Sequence, residues 1–416
     1  MDATVRADGM HWTWRHLYLW CAMPSQAVER RRAIHVIEAF DHFELIHGWI
    51  AMLQSLSVPV TVHLSPWYRM QMAERYASYT QISFSGPTSR EAWPRYVREL
   101  EDSPASIWIV STVGRRPTWF YPLKRFSYLY LVLHDLNYYF GIRISPPGHF
   151  PILSHLRNVT LPFRRKNISS LLSAAEGFIY PTTALQHYGR KHSGYPNKFH
   201  VSLPFAAPDK ERQDTVSNTG CFRVVVPGAV RTTTRDYHML ARGLSILAAR
   251  QPGRYEIHFA GKVVDTSVRR GFTQVVKQNS GDGTTTSALS VHFYPEGLDF
   301  EAYRQLLSSA QVLVCPLKPY AKIGGTWEAV GLSKISGSFF DAVRFGKPIY
   351  LPAWYDPSAN IPYRYSSAED LGELLCQAVR QRHIPHVTYA GFDTEQGLTK
   401  WRQLLTGQPP ADTVGE

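Results

Sequence analysis

Two successive doubly wound α/β domains facing across a cleft are the fold this sequence predicts, and three observations predict it. Short apolar runs of strand composition alternate with helix-period segments along most of the chain. A polar stretch without periodicity, 206–220, divides the alternation into two series. In the second series a Gly/Ser-rich loop opens into a helix and then a strand, and open α/β sheets hold ligands beyond the carboxyl ends of their strands.

A chain of 416 residues, 44% apolar and 13% aromatic, has ample core for two or three ordered domains. The cysteines Cys21, Cys221, Cys315 and Cys376 lie far apart without metal-ligand spacing and read as reduced core residues. The segment Met1–Asp8 has no apolar leader and no window is long enough to span a bilayer, so a cytoplasmic protein is expected, and the sequons at Asn158 and Asn167 read as accidental. A net charge of +12 suits nucleic acid, an anionic lipid surface or a polyanionic substrate. Without a helix-turn-helix, zinc or RNP-type signature, nucleic acid is the weakest of the three.

Residues 1–15 read as a tail, and 15–21 as a possible strand before the charged break 29–32. Ala33–Glu38 is a buried strand, followed by the loop 39–42, a helix through Trp49 to Leu56 and a strand 59–64, a βαβ unit with a right-handed crossover. A helix near 92–101 and strands at 105–111 and 128–133 follow. Strand 177–181, a helix from Thr182 or Thr183 and strand 199–205 complete a first domain, 1–205. After the linker 206–220, a second domain spans 221–385: strand and turn 221–228, helix 235–250, strand 255–261, helix 265–278, a Gly/Thr/Ser loop 279–287 and strand 289–294. A short helix then feeds strand 311–317, and helices are expected around 367–380 and 395–405.

The segment Gly331–Leu351 organises the site. Ser333 or Ser336 is placed to cap a helix that carries Phe339, Phe340, Ala342 and Val343 and ends at Gly346, ahead of Pro348 and an apolar strand. Free N–H groups at that helix start favour phosphate; Gly337 allows close approach and Lys334 adds a point charge. Asp341, about one turn in, is placed to accept hydrogen bonds from ribose hydroxyls.

The order of a short helix, then Ser309-Ala310-Gln311-Val312-Leu313-Val314-Cys315-Pro316-Leu317, then Ser333–Pro352, resembles the carboxy-terminal half of GT-B glycosyltransferases of the family-4-like (group 1) type. It covers about 222–351 well and the amino-terminal half loosely. The resemblance implies a GT-B architecture with two Rossmann-like domains, and a last segment, 386–416, whose helix crosses back to the first domain. It implies transfer of a hexosyl group from a UDP- or GDP-sugar donor, with no cofactor, to a hydroxyl of a glycan or polyprenyl-linked acceptor in surface polysaccharide or glycolipid assembly. In this family the βα loop after the first strand of the second domain carries a basic pair on the donor diphosphate. Arg231 and Arg235, after the Gly228 turn, fall at fitting positions, with Lys334 and the Ser336/Gly337 amides as further positive groups. No D-x-D motif stands in a suitable loop, so metal independence is expected.

The chain departs from the family's E-x7-E pattern: Ser333 stands eight residues before Asp341, and the second acid is Asp rather than Glu. Glu328, in an adjacent loop, is a candidate replacement for the missing acid. The general base is expected at Asp135 or His134, beyond a buried strand, a placement loosely similar to a Ser-Asp pair in xanthan-type glucuronosyltransferases; Asp41 and His42 are alternatives. Arg115 and Arg116 with the aromatics of 117–126, and Arg164 and Arg165 beside Phe163, suit a peripheral location at an anionic inner membrane face. Two rivals stay open. A nucleotide-sugar epimerase would consume donor without acceptor, and a silent binding subunit would bind nucleotide without turnover.

Overall fold

The computed structural model describes residues 33–40, 42–103, 105–114, 116–147, 161–206, 208, 220–279, 287–357, 361–381 and 386–406. The tail, the strand expected at 15–21, most of the 206–220 linker and most of the 279–287 loop lie outside them, as do Cys21 and the sequon at Asn158.

The first domain runs β1 (Ala33–Glu38), α1 (Phe43–Leu53), β2 (Val60–Leu64), α2 (Pro66–Arg75), β3 (Ile82–Ser85), α3 (Trp93–Glu99), β4 (Ser106–Val110), a 3-10 helix (Pro117–Arg125), β5 (Leu129–Val132), α4 (Leu136–Phe140), α5 (Leu161–Ala174), β6 (Gly177–Tyr180), α6 (Thr183–His192) and β7 (Phe199–Ser202). Its strands pair in parallel in the order β3-β2-β1-β4-β5-β6-β7. Strands β4 and β5 are buried at every position, which is why both read as unbroken apolar runs.

The second domain runs β8 (Cys221–Val226), α7 (Tyr237–Arg250), β9 (Gly253–Phe259), α8 (Thr266–Asn279), β10 (Ser287–Phe293), α9 (Phe300–Ser309), β11 (Val312–Val314), the antiparallel hairpin β12 (Tyr320–Ile323) and β13 (Thr326–Ala329), α10 (Gly337–Phe345), β14 (Ile349–Pro352), β15 (Arg364–Tyr365) and α11 (Ala368–Gln381). The order β10-β9-β8-β11-β14-β15 repeats the pattern of the first sheet. In both, the strand order reverses at the domain's first strand, where open sheets leave a crevice. Two Rossmann-like sheets with their crevices opposed make the GT-B arrangement. A last helix, α12 (Thr394–Thr406), lies on the first domain, with Trp401 edge-on to Trp49 at 5.3 Å and Lys400 Nζ donating to Ser202 Oγ at 2.9 Å.

Local chemistry sets the helix starts. Thr182 accepts from Leu185 N, Asp236 from Met239 N and Asp299 from Ala302 N, each an N-cap bond. Gly346 ends α10 in the left-handed conformation that favours glycine.

Several expectations need correction. Helix α7 begins at Tyr237 rather than Arg235, because Asp236 takes the cap. Residues 65–91 add α2 and β3, and the loop that was to hold Glu328 is the hairpin β12-β13. Neither serine caps α10 by its side chain. Ser336 holds the N-cap position without a cap bond, and Ser333 Oγ turns back to Glu328. The aromatics of 117–126 face inward: Trp119, Phe120 and Phe126 are buried, because the 3-10 helix packs against α3 and α5. Among the described residues no helix is long and apolar enough to cross a membrane, and Cys221, Cys315 and Cys376 are free.

Candidate functional site

The carboxyl ends of both sheets meet at a cavity of about 450 Å³. Its second-domain wall starts at β8. Gly228 follows that strand with φ +82°, a backbone conformation that favours glycine, and a Cβ there would come within 2.6 Å of an Arg235 nitrogen and push that side chain aside. Arg235 is buried. It donates to Pro227 O at 2.5 Å, Ser338 Oγ at 3.0 Å and Cys315 Sγ at 3.2 Å, locking the loop after β8 onto the start of α10. The expected role of Arg235 as a free phosphate ligand is therefore corrected in emphasis. Its guanidinium edges the cavity, but its hydrogen bonds fix the loop that carries the exposed Arg231.

Helix α10 points its first turn into the cavity. A Cβ on Gly337 would meet nothing within 4 Å, so packing does not demand a glycine there. Its small size leaves the start of the helix open to the cavity, where first-turn amides such as that of Gly337 have no acceptor in the turn before them, while Phe339 N is taken by Ser336 O at 3.2 Å. Ser336 N donates to the Tyr355 hydroxyl at 3.1 Å, which anchors that turn from behind. Further along, Asp341 Oδ2 accepts from the Tyr303 hydroxyl at 2.8 Å, and Arg344 closes the same face of the helix.

The first-domain wall brings His42, Leu45, Thr112, His134, Asp135 and Phe205 from loops and helix starts after separate strands. Asp135 crosses to the other domain, where Lys334 Nζ donates to its Oδ1 at 2.5 Å and the two backbones form an isolated bridge. Burial pushes the Asp135 carboxyl up, but Lys334, His134 and His42 together outweigh it and its pKa lies below the usual value. His134, with Nε2 3.6 Å from Asp135 Oδ2, has its pKa lowered to about 4 by burial, with Asp135 opposing and His42 and Lys334 adding to the shift. Its Nδ1 is buried without a hydrogen-bond partner among the described residues.

Glu328 is corrected outright. It is 0% exposed, lies outside the cavity lining, and accepts from Asn137 N at 3.1 Å, Tyr138 N at 2.7 Å and Ser333 Oγ at 2.6 Å. The hairpin thus presents a second-domain carboxylate to the start of α4 in the first domain and positions Asp135 beside it. Burial, reinforced by Asp135, raises the Glu328 pKa to about 8 against its hydrogen bonds.

One cavity therefore gathers His42, His134, Asp135, Gly228, Arg231, Arg235, Lys334, Ser336, Gly337 and Asp341. Arg116 lies apart from it, stacked over Trp119 at 4.7 Å. Asp41 and Arg115 lie outside the described residues, as do the side chains of Arg164 and Arg165 in α5. Sequence reasoning missed Tyr303, Phe205 and Arg344. Only the helical spacing of Gly337, Asp341 and Arg344 held a signal for the last. Among the described residues no three His, Cys, Asp or Glu side chains group as metal ligands.

No protein-family model matches the chain, and no curated protein matches its sequence. Among solved structures it is similar to a mutant of S. aureus TarM in complex with Fondaparinux, alpha-GlcNAc-glycerol and UDP, at 15% identity and TM-score 0.45, covering 75% of this chain and 58% of that one. It is similar to a UDP-forming alpha,alpha-trehalose-phosphate synthase from Burkholderia vietnamiensis at 11% identity and TM-score 0.46, covering 90% and 97%. It is also similar to UDP-GlcNAc 2-epimerase from Neisseria meningitidis bound to UDP-GlcNAc, at 11% identity and TM-score 0.46, covering 91% and 100%. The chain spans little more than half the length of TarM. Likenesses this remote say nothing of reaction or substrate, and the architecture rests on the strand orders above.

Proposed function

We propose that the protein is a glycosyltransferase that moves a hexosyl group from a nucleoside diphosphate sugar to a hydroxyl of a glycan or lipid-linked acceptor, without a metal. One observation carries this reading: a carboxylate of the first domain, Asp135, and a cation of the second, Lys334, meet in an ion pair on the wall of a cavity that the start of α10 also lines. The Ser336 amide, held by Tyr355, keeps the first turn of α10 in place. The diphosphate lies at that helix start by the Gly337 amide, with Arg231 and Lys334 on its oxygens and Asp341 on the ribose. Their charge stabilises the leaving nucleotide as the glycosidic bond breaks. Asp135 takes the acceptor hydroxyl proton. In the free protein its partner Lys334 holds it acidic; a diphosphate that draws Lys334 away removes that counter-charge and makes Asp135 a better base. Donor binding thus switches on the base. The net charge of +12 supports an acceptor displayed on an anionic surface, as in surface polysaccharide or glycolipid assembly.

The test is a thermal-shift screen of the full chain with UDP, GDP, ADP, TDP and CMP, with and without EDTA, followed by transfer assays with the responding donor. Ligand at 100 times its Kd stabilises by about 2.7 kcal/mol. One diphosphate should raise the melting temperature equally in EDTA, and its sugar should then appear on an acceptor. Silence toward all five nucleotides would overturn the reading, as would binding without turnover over a broad acceptor panel.

A further inference from the structure

Among the described residues that line the cavity, Arg344 carries the charge that the reading above leaves unused. It is 8% exposed, and among the described residues its guanidinium meets no carboxylate and no hydrogen-bond acceptor. Its contacts are the ring faces of Phe300 at 5.3 Å and Phe345 at 5.6 Å. Among the described residues the carboxylates nearest to it are committed elsewhere. Asp341 accepts from Tyr303, while Glu301 is held by Arg304 at 2.7 and 2.9 Å and approached by Arg75 at 3.4 Å. Arg75 also stacks on Phe300, at 4.7 Å, so a second cation raises the local positive potential. His47, stacked on Phe300 at 3.8 Å, is kept from protonating by burial and by both arginines, and brings no negative charge.

A guanidinium set against Phe300 and Phe345, in a cavity that Leu45, Phe205 and Phe340 also line, is solvated only while water fills that cavity. A ligand that expels the water and offers no anion would leave the charge buried and unpaired, which costs several kcal/mol. A carboxylate or phosphate accepts the guanidinium fork in a bidentate pair. The site lies about 10 Å along α10 from Gly337, at 1.5 Å per residue, so it does not duplicate the diphosphate position at the helix start.

We propose that the cavity holds a second anion subsite at Arg344, which binds a carboxylate or phosphate borne by a substrate in addition to the donor diphosphate. The assignment of that anion to a substrate of transfer rests on the reading under Proposed function; the subsite itself rests on a guanidinium 8% exposed at the cavity wall that meets no carboxylate among the described residues. The anionic group comes either from the donor, as a sugar acid, or from the acceptor, as a sugar phosphate.

Calorimetry on the full chain separates the two sources with matched pairs. One arm compares a nucleoside diphosphate hexose with the same nucleotide carrying the hexuronic acid. The other titrates a hexose against the hexose 6-phosphate, with and without saturating nucleoside diphosphate. In one arm the anionic member should bind at least tenfold more tightly than its neutral match. Arg344→Met, which keeps the packing of the stem, should bring that ratio close to one, and Arg344→Lys should restore part of it. Ratios near one in both arms for the wild type would overturn the subsite, and so would a preference that survives Arg344→Met. If no nucleoside diphosphate binds, the transferase reading falls while the sugar phosphate titration into the free protein still decides the subsite.

Discussion

The two walls of the cavity are built differently. The second-domain wall comes mainly from two short stretches, 228–235 and 330–344, with Tyr303, Leu317, Ala321 and Ile323 added from elsewhere, and presents backbone amides with guanidinium and ammonium groups. The first-domain wall draws His42, Thr112, His134, Asp135 and Phe205 from several separated loops, and its polar groups include titratable ones set by their neighbours. Burial keeps His134 neutral and Lys334 keeps Asp135 charged. One wall supplies positive charge and the other a proton acceptor that this charge tunes, so the working contact between the domains is the Asp135–Lys334 pair.

Breaking the acceptor side of that pair should have the largest effect. Asp135→Asn removes the proposed base and should lower transfer by about 10²–10⁴-fold, the range for losing general base catalysis. Nucleoside diphosphate affinity should hold or rise, because Lys334 no longer has a carboxylate competing for it. Single-turnover transfer and nucleotide titration on the same preparation separate the two quantities. Turnover close to wild type in Asp135→Asn, together with loss in His134→Ala, would hand the base role to His134.

Breaking the cation side should act on both walls. Lys334→Ala should weaken diphosphate binding by about 1.5–3 kcal/mol, the range for a charged hydrogen bond, or roughly ten- to a hundredfold. It should also raise the Asp135 pKa, since burial is left without its main counter-charge. The acid limb of the kcat/KM profile then moves to higher pH. A profile that stays in place while affinity falls would separate Lys334 from the tuning of Asp135.

The same contrast explains what the sequence made legible. The second-domain wall was readable because its signals are local: a strand, a glycine turn, a Ser/Gly-rich helix start, a helical spacing to Asp341. The alternation of strands and helices likewise announced both sheets. What could not be read depends on neighbours distant in sequence. Arg235 looks like a free loop arginine until Cys315 and Ser338 close on it. Arg344 gains meaning only from the Phe300 ring and from having no carboxylate paired with it among the described residues. The basic and aromatic segment 115–126 suggested an outward face because composition does not say which way Trp119 and Phe120 point.

Glu328 gives the smallest expected effect and the sharpest test of the seam behind the two walls. Its folded pKa of about 8 lies above the ordinary 4.5, so between those values the folded state holds a proton that the unfolded state has released. Stability from this group is full below pH 4.5 and is lost as pH rises toward 8, by up to about 1.4 kcal/mol per unit. The paired histidines His35 and His63 act in the opposite direction. Burial holds them neutral, at about 4 and about 3, so their contribution is lost as pH falls below 6.5. Between pH 6.5 and 8 those histidines are silent, and the decline in urea midpoint belongs to Glu328. Glu328→Gln keeps one acceptor oxygen, enough for only one of the Asn137 and Tyr138 amides, and cannot titrate, so it should lower stability by a constant amount and flatten that decline. Glu328→Ala leaves two buried amides and the Ser333 hydroxyl without their acceptor and should cost about 1–3 kcal/mol at every pH. A slope that persists in Glu328→Gln would mean that the carboxylate stays ionised against burial, held by its three donors, and that the seam is a charged one.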